Sequence, residues 1–239
     1  MSDVRIGLVA EGKTDLIIIN AALKSILKNR TFILQPLQPE TSAPFGGAGP
    51  HGGGWGGVYR WCRQLVSMQE PVGENPSLAA FDLILFHLDA DVAGEKYSNA
   101  NITDGLEDLP CQRPCPPATD SVDALRKVIT GWLGLSDNGV LPDRWVFCNP
   151  SMCPEAWLIA ALYRDTEPGI MSKIECNPNL ENWLSQRPIS EGGRFISHGK
   201  KRASVYQEVS PRITAAWGEV CARCSQAHRF TEEVLVALT

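Results

Sequence analysis

The residues best placed for chemistry in this chain are acids that directly follow apolar runs. Glu11 follows Arg5–Ala10, and Asp15 comes shortly after it. Asp89 and Asp91 follow Phe81–Leu88, with Ala90 between them. Glu155 opens the run Pro154–Tyr163. Carboxylates are hard oxygen ligands, and several converging on one pocket suit Mg2+ or Mn2+. Such an ion can polarise a phosphodiester, activate water and steady a leaving oxygen. Without cations the same charges repel strongly at short range. In an extended segment Asp89 and Asp91 point to the same side, and alternation puts His87 with them. The expectation for His87 itself is a core histidine with satisfied hydrogen bonds rather than a ligand.

These acids need a scaffold that brings distant stretches together. Arg5–Ala10 and Phe32–Leu37 read as strands. Phe81–Leu88 is continuously apolar, as in a strand covered on both faces, and Trp145–Cys148 is a short strand. Between them lie helical patterns at Thr14–Lys28, with Thr14 as N-cap, at Val58–Met68 and at Thr119–Leu133. Phe45–Gly57 is too glycine-dense for regular structure and predicts a loop. Past Arg164 the chain reads as loop, closing with helices at Ala203–Ala216 and Phe230–Leu238. Strands alternating with helices predict an α/β fold: a Rossmann-like parallel sheet flanked by helices, with a mainly helical C-terminal extension. The expected organisation is a core at 1–163, with a glycine-rich loop at 39–57, and an extension at 164–239 packed on it. In such sheets functional groups gather beyond the carboxyl ends of the strands, where these acids stand.

Composition narrows the function classes. Hydrophobic residues make up 44% and charged residues 21%, which excludes wholesale disorder. No apolar run is long enough for a bilayer span, so no membrane association is expected. The opening Met-Ser-Asp-Val-Arg does not read as a signal peptide, which gives a cytoplasmic expectation. The net charge of −5 does not advertise a nucleic-acid binder, but the distribution is uneven. Glu74–Asp123 carries ten acidic residues against two basic ones, leaving the rest of the chain net positive. Eight cysteines are expected mainly as free, partly buried thiols. Cys111 and Cys115 with Cys221 and Cys224 form a weaker zinc alternative.

Two other motif readings stay open. Gly7-Leu-Val-Ala-Glu-Gly12-Lys13-Thr14 satisfies the P-loop pattern, with Asp89 in a Walker B role, although Leu8, Val9 and Ala10 favour strand over a phosphate cradle. Asp89-Ala-Asp91 has the form used by haloacid-dehalogenase-type phosphatases and by glycosyltransferases, but here it comes late in the chain.

Val9-Ala-Glu11-Gly12-Lys-Thr-Asp15 and Leu85-Phe-His-Leu-Asp89-Ala-Asp91 resemble the two signature motifs of the Toprim domain, found in topoisomerases, primases and the OLD family of nucleases. The chain also resembles stand-alone Toprim-like proteins encoded beside ATPases in bacterial defence clusters. That likeness extends to Gly53-Gly-Trp55-Gly-Gly, Pro116-Pro-Ala, Glu155-Ala-Trp157-Leu, Gly199-Lys-Lys201 and Cys224-Ser-Gln-Ala-His-Arg-Phe230. The resemblance implies a Toprim-like fold and a Mg2+- or Mn2+-dependent nuclease acting on DNA or RNA, with an SMC-like or ABC-like ATPase partner in antiviral defence. It implies that Glu11 is a metal ligand or general acid/base, and that Asp89 and Asp91 hold one metal. Asp15, with Glu155, would hold a second, and Lys200 or Lys201 would steady phosphate charge. For nucleic-acid contact the residues themselves offer Arg60 and Arg63 beside Trp55, Tyr59 and Trp61, and the basic run Lys200, Lys201 and Arg202. At helical spacing Trp55 and Tyr59 are equally explained as a packing face. Gly46–Gly57 could cradle phosphate through backbone N–H groups, or act as a lid or docking loop. The competing reading from another class is a non-catalytic binding or regulatory subunit.

Overall fold

A computed structural model describes residues 3–40, 49–68, 71–103, 109–135, 141–189 and 193–239. Strand β1 (Val4–Val9) leads into helix α1 (Lys13–Ile26) and back to β2 (Phe32–Gln38). Helix α2 (Gly54–Ser67) precedes β3 (Leu83–His87), which runs into a single-turn helix at Ala90–Gly94. Helix α3 (Thr119–Trp132), β4 (Trp145–Cys148) and α4 (Glu155–Leu162) follow. The four strands form one all-parallel sheet in the order β2-β1-β3-β4. Every residue of β3 is at most 1% exposed, as a central parallel strand requires.

Beyond Leu162 come the short helices α5 (Pro168–Met171) and α6 (Leu180–Ser185) and two ribbons, β5 (Pro188–Ile189) with β6 (Gly193–Arg194) and β7 (Ile196–Ser197) with β8 (Lys200–Lys201). Helices α7 (Ala203–Ala215), α8 (Trp217–Arg223) and α9 (Ser225–Ala237) close the chain. Helix α9, expected from Phe230, begins at Ser225, directly after α8. Their buried stripes, Trp217 with Val220 and Ala227 with Phe230, are too short for periodicity to separate from loop.

Alternation along the strands divides the core in two. Ile6, Leu8, Leu83 and Leu85 face α1, α4 and the terminal helices α7 to α9. Gly7, Val9, Ile84 and Phe86 turn to the opposite face, where Val9, Ile84 and Phe86 pack with α2 and α3. The C-terminal helices therefore share their core with α1 and α4. Each fully buried Leu, Ile or Phe contributes roughly 1.5–3 kcal/mol, so this shared face stabilises the sheet substantially.

Three local expectations are corrected. Thr14 does not cap α1. The cap is Gly12, reached in extended conformation, and the Thr14 hydroxyl lies in the first turn, 3.4 Å from Asp15 Oδ1. The glycine-rich segment does not stay irregular to Gly57, because helix begins at Gly54. Residues 41–48 lie outside the described residues, and with them the first three positions of the supposed phosphate cradle, 46–48. Gly56 and Gly57 of α2 serve close packing: a Cβ at Gly57 would stand 2.4 Å from Gln38 Nε2 and 2.5 Å from Gly52 O. Gly57→Ala is accordingly expected to cost about 1–3 kcal/mol, measured by urea unfolding. An unchanged midpoint would show that the loop yields freely. Finally, the cysteines are not all free. Cys115 is bonded to Cys176 with a Cα separation of 5.5 Å, within the range a disulfide spans. That removes Cys115 from the zinc alternative, and Cys224 is fully buried.

Candidate metal centre at the sheet's carboxyl edge

Because all four strands run the same way, their carboxyl ends share one edge. Glu11 leaves β1 there, Asp89 leaves β3, and Asn149–Glu155 leaves β4. The loops are stitched together by backbone and side chain. The Asp89 N–H donates to Glu11 Oε1 at 2.8 Å, and Asn149 Nδ2 to Leu88 O at 2.8 Å. The Ala90 N–H donates to Pro150 O at 3.1 Å. The Gly54 N–H at the start of α2 donates to Glu11 O at 3.0 Å.

The result is a cleft of about 540 Å3 lined by Glu11, Asp15, Asp89, Asp91, Glu95 and Glu181 as acids and Lys201 as a cation, with Trp55 on its wall. At its floor, donor atoms of Glu11, His87 and Asp89 lie within 4.8 Å of one another. Asp15 Oδ2 is 4.0 Å from His87 Nδ1. A second group, Cys153, Glu155 and Glu181, stands beside it. Of the sequence candidates for metal, Glu11 and Asp89 meet directly and Asp15 borders them. Asp91 and Glu155 are not part of that first group.

Asp91 does not extend β3 as alternation suggested. The strand ends at His87, and Asp91 lies in the Ala90–Gly94 turn, exposed at the cleft mouth. His87 also departs from expectation. It is fully buried, yet neither ring nitrogen makes a hydrogen bond. Nε2 approaches Asp89 Oδ1 to 3.1 Å without hydrogen-bond geometry, and that oxygen is itself unpartnered. Glu155 Oε2 is a further buried orphan. Unpaired buried polar atoms are rare and costly, and here they cluster where ligands for a cation would stand.

The electrostatics agree. Burial first, then Asp89, raises the Glu11 pKa well above its ordinary value. Burial first, then Asp15 and Asp91, does the same for Asp89. The walls of the cleft partly desolvate Asp91 and, with Glu181, lift its pKa to about 6. Two like charges 4 Å apart cost about 4 kcal/mol at an effective dielectric of 20, several times what an exposed ion pair returns. A divalent cation would reverse the sign of that balance.

Lys201 and Lys200 have separate fates. The β7–β8 ribbon turns at His198 and Gly199, both with positive φ (50° and 71°), the conformation of a tight two-residue hairpin turn. Alternation then leaves Lys200 exposed and carries Lys201 inward. Its Nζ lies 2.8 Å from Glu155 Oε1 and 2.7 Å from Glu181 Oε1. Burial alone would lower its pKa, but Glu155, Asp15 and Glu181 outweigh that and keep the ammonium charged. Glu155 is thus no mere helix-dipole partner. It is wholly buried and also accepts a 2.8 Å hydrogen bond from the Tyr206 hydroxyl. Sequence reasoning passed over Tyr206 and Glu181, since neither sits in a motif or follows an apolar strand.

The nucleic-acid candidates are mostly engaged elsewhere. Arg60 donates to His51 O at 3.0 Å and Ala100 O at 2.6 Å, bracing loops rather than offering a free cation. Tyr59 is buried edge-on against Trp132, and Trp61 meets Phe86 edge-on. Trp55 stacks on Trp132 but still lines the cleft. Arg63 and Lys200 are exposed, as is Arg202 at the start of α7. The P-loop alternative fails on geometry. Gly7 is inside β1, paired with Gln35 and Ile84, and a Cβ there would meet Leu37 and Ile84 side chains at 2.8 and 2.9 Å. Its glycine serves sheet packing, and no open loop follows it. Among the described residues no helix is long and apolar enough to cross a membrane. Comparison with family models, curated proteins and solved structures finds no match to this chain.

Proposed function

We propose that this chain is a divalent-cation-dependent phosphodiesterase, a nuclease of the Toprim type that its motifs resemble. The observation that carries the reading is the meeting of Glu11, His87 and Asp89, with buried unpartnered donor atoms, at the carboxyl edge of a parallel sheet. Glu11 and Asp89 would hold the ion, with His87 and Asp15 beside them. A divalent cation bound there supplies Lewis acidity toward a phosphodiester and toward water. The imidazole adds a donor that suits Mn2+ better than Mg2+. Around the ion, Lys201 offers positive charge to a phosphate oxygen. Asp91, exposed at the cleft mouth, offers a carboxylate that can exchange a proton with solvent. Trp55 offers an aromatic surface within the same cleft. Antiviral defence with an ATPase partner remains part of the proposal through the resemblance alone.

The test is cleavage of double-stranded DNA, single-stranded DNA and RNA by purified protein with Mg2+ or Mn2+. Cation-dependent cleavage supports the reading. Binding of Mn2+ with no cleavage of any substrate, even with the product of the neighbouring gene added, supports a non-catalytic subunit instead.

Cation affinity should also follow pH. A protonated carboxyl cannot ligate, and Glu11 and Asp89 both hold their protons to higher pH than usual. Mn2+ affinity should therefore rise from pH 5 to pH 8 by at least about tenfold. Titration calorimetry in two buffers would also register the released protons. A flat profile would place the cation elsewhere.

A further inference from the structure

The two sides of the cleft mouth are joined covalently at a distance. On one side, Asp91 lies in the Ala90–Gly94 turn. The carbonyl of Ala93 in that turn accepts N–H bonds from Cys111 at 2.7 Å and Gln112 at 2.9 Å. The same loop runs on to Cys115. On the other side, Glu181 sits in the first turn of α6, and the chain entering α6 passes through Cys176. The Cys115–Cys176 bond closes this circuit and spans 61 residues of sequence. Asp91 and Glu181 both line the cleft, and Glu181 also holds Lys201. Cys115 is exposed and Cys176 half-buried, so a soluble thiol can reach the bond.

We propose that this disulfide is a reversible redox modification site that sets the geometry of the cleft mouth and hence its affinity for a divalent cation. The proposal rests on the cation-site reading above. Oxidised, it ties the Asp91 turn to the segment that presents Glu181. Reduced, the two walls are joined only through the rest of the fold, and Glu181 can move away with α6. The exchange is with a dithiol. One of its thiolates attacks Cys115 Sγ, and the Cys176 sulfur leaves and takes a proton. The second thiol of the reagent then displaces the Cys115 sulfur, which is protonated in turn. Two electrons pass from the dithiol to the protein, and the reagent ends as its own disulfide.

The experiment compares the full-length protein purified under oxidising conditions with the same protein treated with dithiothreitol, desalted anaerobically and verified by mass. Free Mn2+ is followed by electron paramagnetic resonance during titration, and backbone hydrogen exchange is read over 89–95 and 177–185. Reduction should weaken Mn2+ binding by roughly five- to tenfold, the effect of loosening one acidic wall, and speed exchange in both segments. Cys115→Ser and Cys176→Ser should bind weakly with or without reductant, whereas Cys221→Ser should respond like wild type. Equal affinity in both redox states, or no disulfide in the oxidised protein, overturns the switch and leaves the cation site standing. Absence of Mn2+ binding in every state overturns both.

Discussion

Asp89→Asn should abolish cation-dependent stabilisation and reduce cleavage at least about a hundredfold, while making the metal-free protein more stable. The two effects have one cause. In the metal-free protein Asp89 is buried among Asp15, Asp91 and Glu155, and its pKa is raised by burial and then by those neighbours. An acid whose folded-state pKa is raised binds more protons folded than unfolded. Its contribution therefore weakens the fold as pH climbs from the ordinary carboxylate range toward the raised value. Asparagine keeps the shape and drops the charge. At pH 8 the metal-free variant should gain on the order of 1–2 kcal/mol. Excess Mn2+ at a hundredfold over its Kd should stabilise the wild type by about 2.7 kcal/mol and leave the variant unmoved. Thermal unfolding at pH 5 and pH 8, with and without Mn2+, measures all of this. A variant that is less stable without metal, yet still responds to Mn2+, would make Asp89 a structural partner of His87 and not a ligand.

Lys201→Ala should destabilise the fold by about 3 kcal/mol, whereas Lys200→Ala should change it by less than about 0.5 kcal/mol. The contrast follows from neighbours. Lys201 is the ammonium that neutralises Glu155, whose side chain is wholly buried, and removing it strands a charge in the interior. Replacing both members, Lys201→Met with Glu155→Gln, should restore most of the lost stability, because a buried ion pair costs desolvation that a neutral pair avoids. Cleavage should not return with it, since the cleft would then lack the single cation lining it among the described residues. Urea unfolding beside a nuclease assay separates the two outcomes. Equal effects of the two lysine substitutions would contradict the inward turn of Lys201.

Much of the architecture was legible from order and period. Apolar runs broken by helical patterns gave β1, β3, β4, α1 and α3 within a few residues, because strand and helix burial impose periods visible in one dimension. The same logic identified Glu11 and Asp89, since a parallel sheet delivers the residue after each strand to a common edge. Where the reading failed, the deciding contact came from far along the chain. Early in the helix that starts at Gly54, Gly57 packs against Gln38 of β2 and Gly56 against Ala100. Alternation placed the buried histidine on the side of Asp89, but nothing local reveals that its other nitrogen faces Asp15, 4.0 Å away.

The sequence by itself determined the sheet, its direction and the acids standing at its edge, because hydrophobic periodicity and strand polarity are written locally. Only the tertiary structure decided which groups gather there. It turned Asp91 aside by ending β3 at His87, chose Lys201 over Lys200 through a hairpin turn, and brought in Glu181 and Tyr206. Charge and hydrogen bonding act through space over a few ångströms, and the chain that separates these residues carries no trace of that distance.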